Sequence, residues 1–145
     1  MDCLKIKTSS NESFYLQYRT WNKGMNGYYP YVKSTENDYA GSSGKPIQQL
    51  QIQAYRNDGT KLVSGIVVMY RAFVENKWLP WVSNADPEWM DSVQSKYNLG
   101  GTLDTSSSYA GISGKNISGI EIRVYKESSL GNYSGGESNP SLSYM

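Results

Sequence analysis

The chain has 145 residues, a formal net charge of +1 and 19% charged residues. That length suits one domain, or two small halves that must share a core, and the near-neutral charge argues against nucleic acid or an anionic membrane as partner. With no histidine and a single cysteine, Cys3, the sequence excludes an intrachain disulfide, histidine-based catalytic pairs and the usual zinc sites, so no metal or cofactor is expected. Thirteen tyrosines and four tryptophans stand against two phenylalanines. Such amphipathic rings suit recognition surfaces, because each offers a flat apolar face and a polar handle.

In chain order, Met1-Asp-Cys-Leu-Lys-Ile-Lys reads as a charged alternating strand, without the apolar core of a signal peptide. Alternation at Leu16/Tyr18 predicts the next strand, and Asn26-Gly27 supplies positive φ for a hairpin bend. The segment Tyr28-Tyr-Pro30-Tyr31-Val32 follows, its proline suited to an edge strand or bulge. Then comes Tyr39-Ala-Gly-Ser-Ser-Gly-Lys-Pro-Ile47, running straight into the strand Leu50-Gln-Ile-Gln-Ala-Tyr55. Asn57-Asp58-Gly59 marks a turn, and residues 60–65 carry the chain onward.

The same order then repeats. Val68-Met-Tyr70-Arg71 aligns with Leu16-Gln-Tyr18-Arg19, and Trp78-Leu-Pro80-Trp81-Val82 aligns with Tyr28-Tyr-Pro30-Tyr31-Val32. Tyr109-Ala-Gly-Ile-Ser-Gly-Lys-Asn-Ile117 with Ile120-Glu-Ile-Arg-Val-Tyr125 aligns with 39–55, nine of 17 positions being identical. A duplicated unit of about half the chain favours a binding module over an enzyme, since recognition surfaces are often doubled and active sites are not. The predicted fold is mainly β: a duplicated antiparallel sandwich-like module of two pseudo-two-fold repeats, about 4–59 and 60–127, forming one domain over 1–127. The longest apolar run, 66–69, is too short to cross a bilayer, so no membrane insertion is expected.

The second repeat carries an insertion of about 20 residues between Val82 and Tyr109. Asp86-Pro87-Glu88 is a helix start, with a capping carboxylate, a proline at the first helical position and an acid at the positive dipole end. The helix is predicted over about 86–97, with Trp89, Val93 and Tyr97 on one stripe. It either plugs one end of the sheets or walls a groove beside Trp78 and Trp81. Residues 128–145, rich in Ser, Gly and Asn, read as a flexible tail.

Candidate ligand contacts are Tyr28, Tyr31, Trp78, Trp81 and Trp89, each of which also suits a small core. The two glycine turns either are a conformational signature, with Tyr39 and Tyr109 packing over them and Ile47 and Ile117 entering the core, or line equivalent sites where Lys45 or Lys115 meets a carboxylate, phosphate or sugar group. A phosphate loop is rejected, because the glycine spacing is wrong and a strand, not a helix, follows the lysine. Arg19 and Arg71 sit among outward-facing polar positions and read as a solvated face. Glu88 and Asp104 do not make a convincing glycosidase pair, because nothing fixes their separation and capping explains Glu88 better.

The string Val67-Val-Met-Tyr-Arg-Ala-Phe-Val-Glu-Asn-Lys-Trp-Leu-Pro-Trp-Val, with Ala85-Asp-Pro-Glu-Trp-Met, Gly100-Gly-Thr-Leu-Asp and the second glycine signature, resembles the C-terminal cell-wall-binding modules of clostridial phage endolysins and autolysins. The likeness covers about residues 4–126 and is strongest in the second repeat. The paired tryptophans and glycine turn are also similar, more loosely, to clostridial hydrophobic-Trp surface repeats. The resemblance implies a non-catalytic module that brings a peptidoglycan hydrolase to Gram-positive wall polysaccharide or peptidoglycan. Its partners would be that bacterial cell-wall polymer, an N-terminal catalytic domain not present in this sequence, and a second copy if the module dimerises. It also implies cytoplasmic synthesis and, if phage-encoded, release by a holin-like route to act at the wall. A protein–protein or oligomerisation module that docks or regulates a lytic enzyme is the alternative.

Overall fold

The computed structural model describes residues 1–97, 99, 101–132 and 142–144. It is mainly β and antiparallel, with one α-helix. The strands are β1 (Cys3–Leu4), β2 (Ile6–Thr8), β3 (Phe14–Asn22), β4 (Val32–Lys33), β5 (Ala40–Gly41), β6 (Ile47–Arg56), β7 (Ile66–Val74), β8 (Lys77–Trp78), β9 (Ala110–Gly111), β10 (Gly119–Lys126) and β11 (Leu142–Tyr144); α1 spans Pro87–Tyr97. Each half is built on one long antiparallel strand pair, β3 with β6 and β7 with β10. The larger sheet runs β4-β3-β6-β9 and the second runs β10-β7-β8, while β1 pairs with β5 and β2 with β11.

Strict alternation explains which faces of these pairs are buried. Leu16, Tyr18, Leu50, Ile52 and Ala54 of the first half and Val68, Tyr70, Ala72, Ile122 and Val124 of the second all point into one shared core, as expected of halves too small to fold around separate ones. A second cluster lies on the other face of the β7–β10 pair, where Val67, Met69 and Tyr125 meet Trp81, Met90, Val93, Leu99 and Leu130. The insertion supplies most of that cover. Asp86 caps α1 as expected, its carboxylate accepting the Trp89 N–H at 3.0 Å.

The halves join by a specific contact. The second glycine signature docks on the long strand of the first half: β9 pairs with β6 through Leu50↔Ala110 and Gln49↔Gly111, and the Ile117 N–H donates to the Ile47 C=O at 2.8 Å. The first signature makes the same contact with the N-terminal strand, through Leu4↔Ala40 and Cys3↔Gly41, with the Ile47 N–H donating to the Met1 C=O at 2.8 Å. Two tyrosine hydroxyls repeat the correspondence. Tyr18 accepts the Ile6 N–H at 3.0 Å and donates to the Asp38 C=O. Tyr70 accepts the Ile52 N–H and donates to the Ser108 C=O. Residues 1–6 therefore play toward the first half the part that residues 47–52 play toward the second.

Three expectations change. Positive φ near the first hairpin bend falls on Gly24 (φ 85), not on Asn26-Gly27; the bend belongs to the end of β3, where the Met25 N–H reaches back to the Asn22 C=O. The predicted flexible tail is in part built into the fold. Glu127–Asn132 form a 3-10 turn with Leu130 buried, and Leu142–Tyr144 pair with Ile6–Thr8. The remainder of that tail, 133–141 and 145, lies outside the described residues. Third, the arginines expected on a solvated face are packed between aromatic rings.

Candidate functional site

Arg19 and Arg71 organise two equivalent clusters. On β3 the side chain of Arg19 points away from the core, as alternation requires. The Tyr28-Tyr-Pro30-Tyr31 segment then folds back across it, because proline interrupts the edge and the Tyr29 N–H bonds to the Thr20 C=O at 3.0 Å. The Arg19 guanidinium carbon lies 4.3 Å from the ring centre of Tyr28 and 4.6 Å from that of Tyr31. Its Nε and one terminal nitrogen donate to Gln51 Oε1 at 2.9 and 2.6 Å. Cation–π attraction to two rings, together with these bonds, holds the group in one orientation.

The second half repeats the arrangement. Leu79 N–H bonds to the Ala72 C=O at 2.9 Å, the Arg71 guanidinium lies 4.5 Å from the ring of Trp78 and 4.6 Å from that of Trp81, and Glu121, in the place of Gln51, takes a 2.7 Å ion pair.

The clusters differ in what covers them. Tyr31 is 37% exposed, whereas Trp81 is 2% exposed, because Met90, Val93 and Leu99 of the insertion pack against it. Arg123 adds a second cation over the Trp81 ring at 4.7 Å. Trp81, named as a candidate contact, is thus a core residue, and α1 plugs the sheet instead of walling a groove around it. Trp78, 40% exposed, keeps an open ring that leans on Phe73 at 5.1 Å.

The first cluster is extended by the second signature. Gln51 Nε2 donates to Ser108 Oγ at 3.0 Å, and Tyr109 lies near enough to Tyr28 to act on its ionisation. Tyr109, itself 39% exposed, also borders a groove of about 400 Å³ with Leu79, Ile112, Asp104, Ser106 and Ser107 among its walls. The groove combines an apolar floor with hydroxyls and a carboxylate. Bonds from the Ser106 hydroxyl and backbone N–H hold the Asp104 carboxyl below its ordinary value, so it stays an acceptor at neutral pH.

The other candidates are dispersed. Trp89 is half-buried on α1 against the second core cluster. Tyr39 is exposed with Lys5 over its ring at 5.0 Å, Lys45 is exposed, and Lys115 pairs with Glu75 at 2.9 Å. The structure therefore joins Tyr28, Tyr31 and Tyr109 into one surface and leaves Trp78 on another. It adds Arg19, Gln51, Ser108, Arg71 and Asp104, which sequence reasoning did not select as ligand contacts. The signal for the arginines was present: each recurs at the same repeat position, followed by the same aromatic pair.

Burial raises the pKa of Tyr18, Tyr28, Tyr55 and Tyr70 above the ordinary 10.0, and for Tyr28 the nearby Arg19 opposes the rise. The folded state thus holds these phenols protonated where the unfolded chain has begun to release them. Stability from this source is complete below pH 10 and falls as the pH climbs beyond it, by about 1.4 kcal/mol per pH unit for the fully buried Tyr70. Melting temperatures measured from pH 8 to 12 should be flat to about pH 10 and then drop; a flat profile throughout would contradict the buried-phenol account.

No protein-family model, no curated protein and no solved structure matches the chain.

Proposed function

We propose that the chain is a non-catalytic carbohydrate-binding module that recognises Gram-positive wall polysaccharide or peptidoglycan and thereby targets a lytic enzyme. The observation that carries this reading is the arginine fixed between two aromatic rings with one ring open to solvent, present once in each half. An open ring stacks on the apolar face of a sugar. Planar donors and acceptors beside it, Arg19 and Gln51 in the first half and Arg71 and Glu121 in the second, meet the hydroxyls around that face. The groove beside Tyr109 adds further acceptors and donors of the kind a hydroxyl-rich ligand uses. Holding these groups in place before binding limits the entropy lost on association.

The test is co-sedimentation with purified Gram-positive cell walls, untreated and stripped of secondary polymer by acid. Tyr31→Ala and Trp78→Ala remove exposed rings and should leave the fold intact. Each is expected to weaken binding roughly 5- to 10-fold, the worth of one stacking contact. Wild-type binding by both folded variants, or no wall binding by the native chain, would remove the reading. Loss of binding on stripping would identify the secondary polymer as ligand.

A further inference from the structure

The two arginine clusters share a plan but differ in one residue that decides what remains for a ligand. Gln51 of β6 faces Arg19, and Glu121 of β10 faces Arg71. In the first cluster the amide acceptors are used up from within. Gln51 Oε1 takes two bonds from the Arg19 guanidinium, which fills both of its lone pairs. Gln49 Oε1 takes the Tyr28 hydroxyl at 2.9 Å. The donors are not used up. Among the described residues Arg19 Nη1 has no hydrogen-bond partner, and it is not buried. Ser108 Oγ accepts from Gln51 Nε2 and keeps its own proton to give. The exposed Tyr31 and Tyr109 bring two further hydroxyls, both near enough to act on the ionisation of Tyr28. Among the described residues no carboxylate pairs with Arg19, so its charge stands uncancelled between two rings.

The second cluster lacks this surplus. Glu121 Oε1 cancels the Arg71 charge at 2.7 Å, and the second carboxylate oxygen remains as an acceptor. Arg71 Nε has no partner but is buried, out of a ligand's reach. Arg123, the other cation there, is turned to the buried Trp81 ring and the Leu99 C=O.

We propose that the Arg19 face binds the anionic oxygens of an acidic sugar, a phosphate or carboxylate borne on the glycan, whereas the Trp78 face takes a neutral one. The difference is set by Gln51 against Glu121. This inference rests on the carbohydrate-binding reading and narrows it. Anionic oxygens only accept, so they match a set of surplus donors better than a neutral hydroxyl, which must also give its own proton. Charge-assisted bonds to a planar guanidinium are the stronger kind, and its stacked rings hold it ready for them. Asp104, in the groove beside Tyr109, repels the same group. The acidic end of the ligand therefore turns to Arg19 and its hydroxyls to the groove.

The test is an NMR titration of the full chain with glucose 6-phosphate, glucuronic acid and glucose at one ionic strength. One or both acidic sugars are expected to shift the amide signals of Tyr31, Gln51 and Ser108, and to bind there about 5- to 10-fold more tightly than glucose. The tighter of the two tells phosphate from carboxylate. Gln51→Glu installs the pair that Arg71 and Glu121 already form, so the fold has a precedent for it, and the preference should disappear. Equal affinity for the three sugars, no binding of either acidic sugar, or a preference that survives Gln51→Glu overturns the proposal. Should that variant fail to fold, the unmodified chain decides: shifts by the acidic sugars centred on Trp78 instead of Tyr31 overturn it. Walls are absent from this readout. A chain that sediments with walls but lacks the acidic preference loses this inference alone, and one that has the preference but does not sediment loses the wall reading alone.

Discussion

Gly111→Ala is expected to be among the most damaging single substitutions in this chain, at about 2–4 kcal/mol. Two causes add. Gly111 has φ 112, which an L side chain rarely adopts, and its new Cβ would lie 2.2 Å from the Gln48 carbonyl oxygen and 3.1 Å from the Ile117 side chain. Backbone cannot step aside as a flexible side chain can, so β9 must lift from β6, and with it the contact that joins the halves. Gly114→Ala is the control. It shares the signature and a positive φ of 81, but nothing lies within 4 Å of its Cβ, so only conformational strain of about 1 kcal/mol is expected. Denaturant midpoints for the two variants check this. Equal losses would mean that the close approach at Gly111 contributes nothing. Gly41→Ala meets the same 2.2 Å overlap with Asp2 and should be milder than Gly111→Ala, because the strand it displaces is terminal.

Tyr70→Phe should destabilise by a similar amount, about 2–4 kcal/mol, although it deletes one oxygen. That hydroxyl is buried between the halves, accepting from the Ile52 N–H of the first and donating to the Ser108 C=O ahead of the second signature. Phenylalanine keeps the ring packing and strands both backbone groups away from water, which is why the loss exceeds that of an ordinary hydrogen bond. Thermal unfolding should show a decrease of roughly 5–15 °C for a chain of this size. The matched variant Tyr18→Phe orphans the Ile6 N–H and Asp38 C=O instead. If Tyr70→Phe melts with the native protein, the hydroxyl bridge does not hold the halves together.

The duplication, the long strands and the helix were legible because each rests on local pattern: period-two alternation at Leu16/Tyr18 and Ile120/Ile122, a capping aspartate before Pro87, and a signature written twice. The junction was not legible. It depends on Gly111 meeting Gln48 and on Tyr70 meeting Ile52, contacts between distant parts of the chain that no window contains. The likeness of residues 1–8 to 47–54 is equally hidden, since only Leu4/Leu50 and Ile6/Ile52 are shared. For the site, alternation correctly sent Arg19 and Arg71 outward but said nothing of the proline-broken segments that return over them. The fates of Trp78 and Trp81 were undecided for a related reason: the register in which an insertion lies down on a sheet depends on its whole surface, including Met90 and Leu99, and not on the tryptophans alone.

The helix over Trp81 makes the two halves unequal. Two identical faces would hold equivalent units of a polymer with equal strength. Here one face offers Tyr28 and Tyr31 around Arg19 with Tyr109 near Tyr28, and the other offers Trp78 as the exposed ring at Arg71. A glycan has distinct reducing and non-reducing ends, so unequal footholds at a fixed separation favour one direction of threading over the other. Under the wall-binding proposal, a lytic domain joined to the module would then meet its bonds from a consistent side.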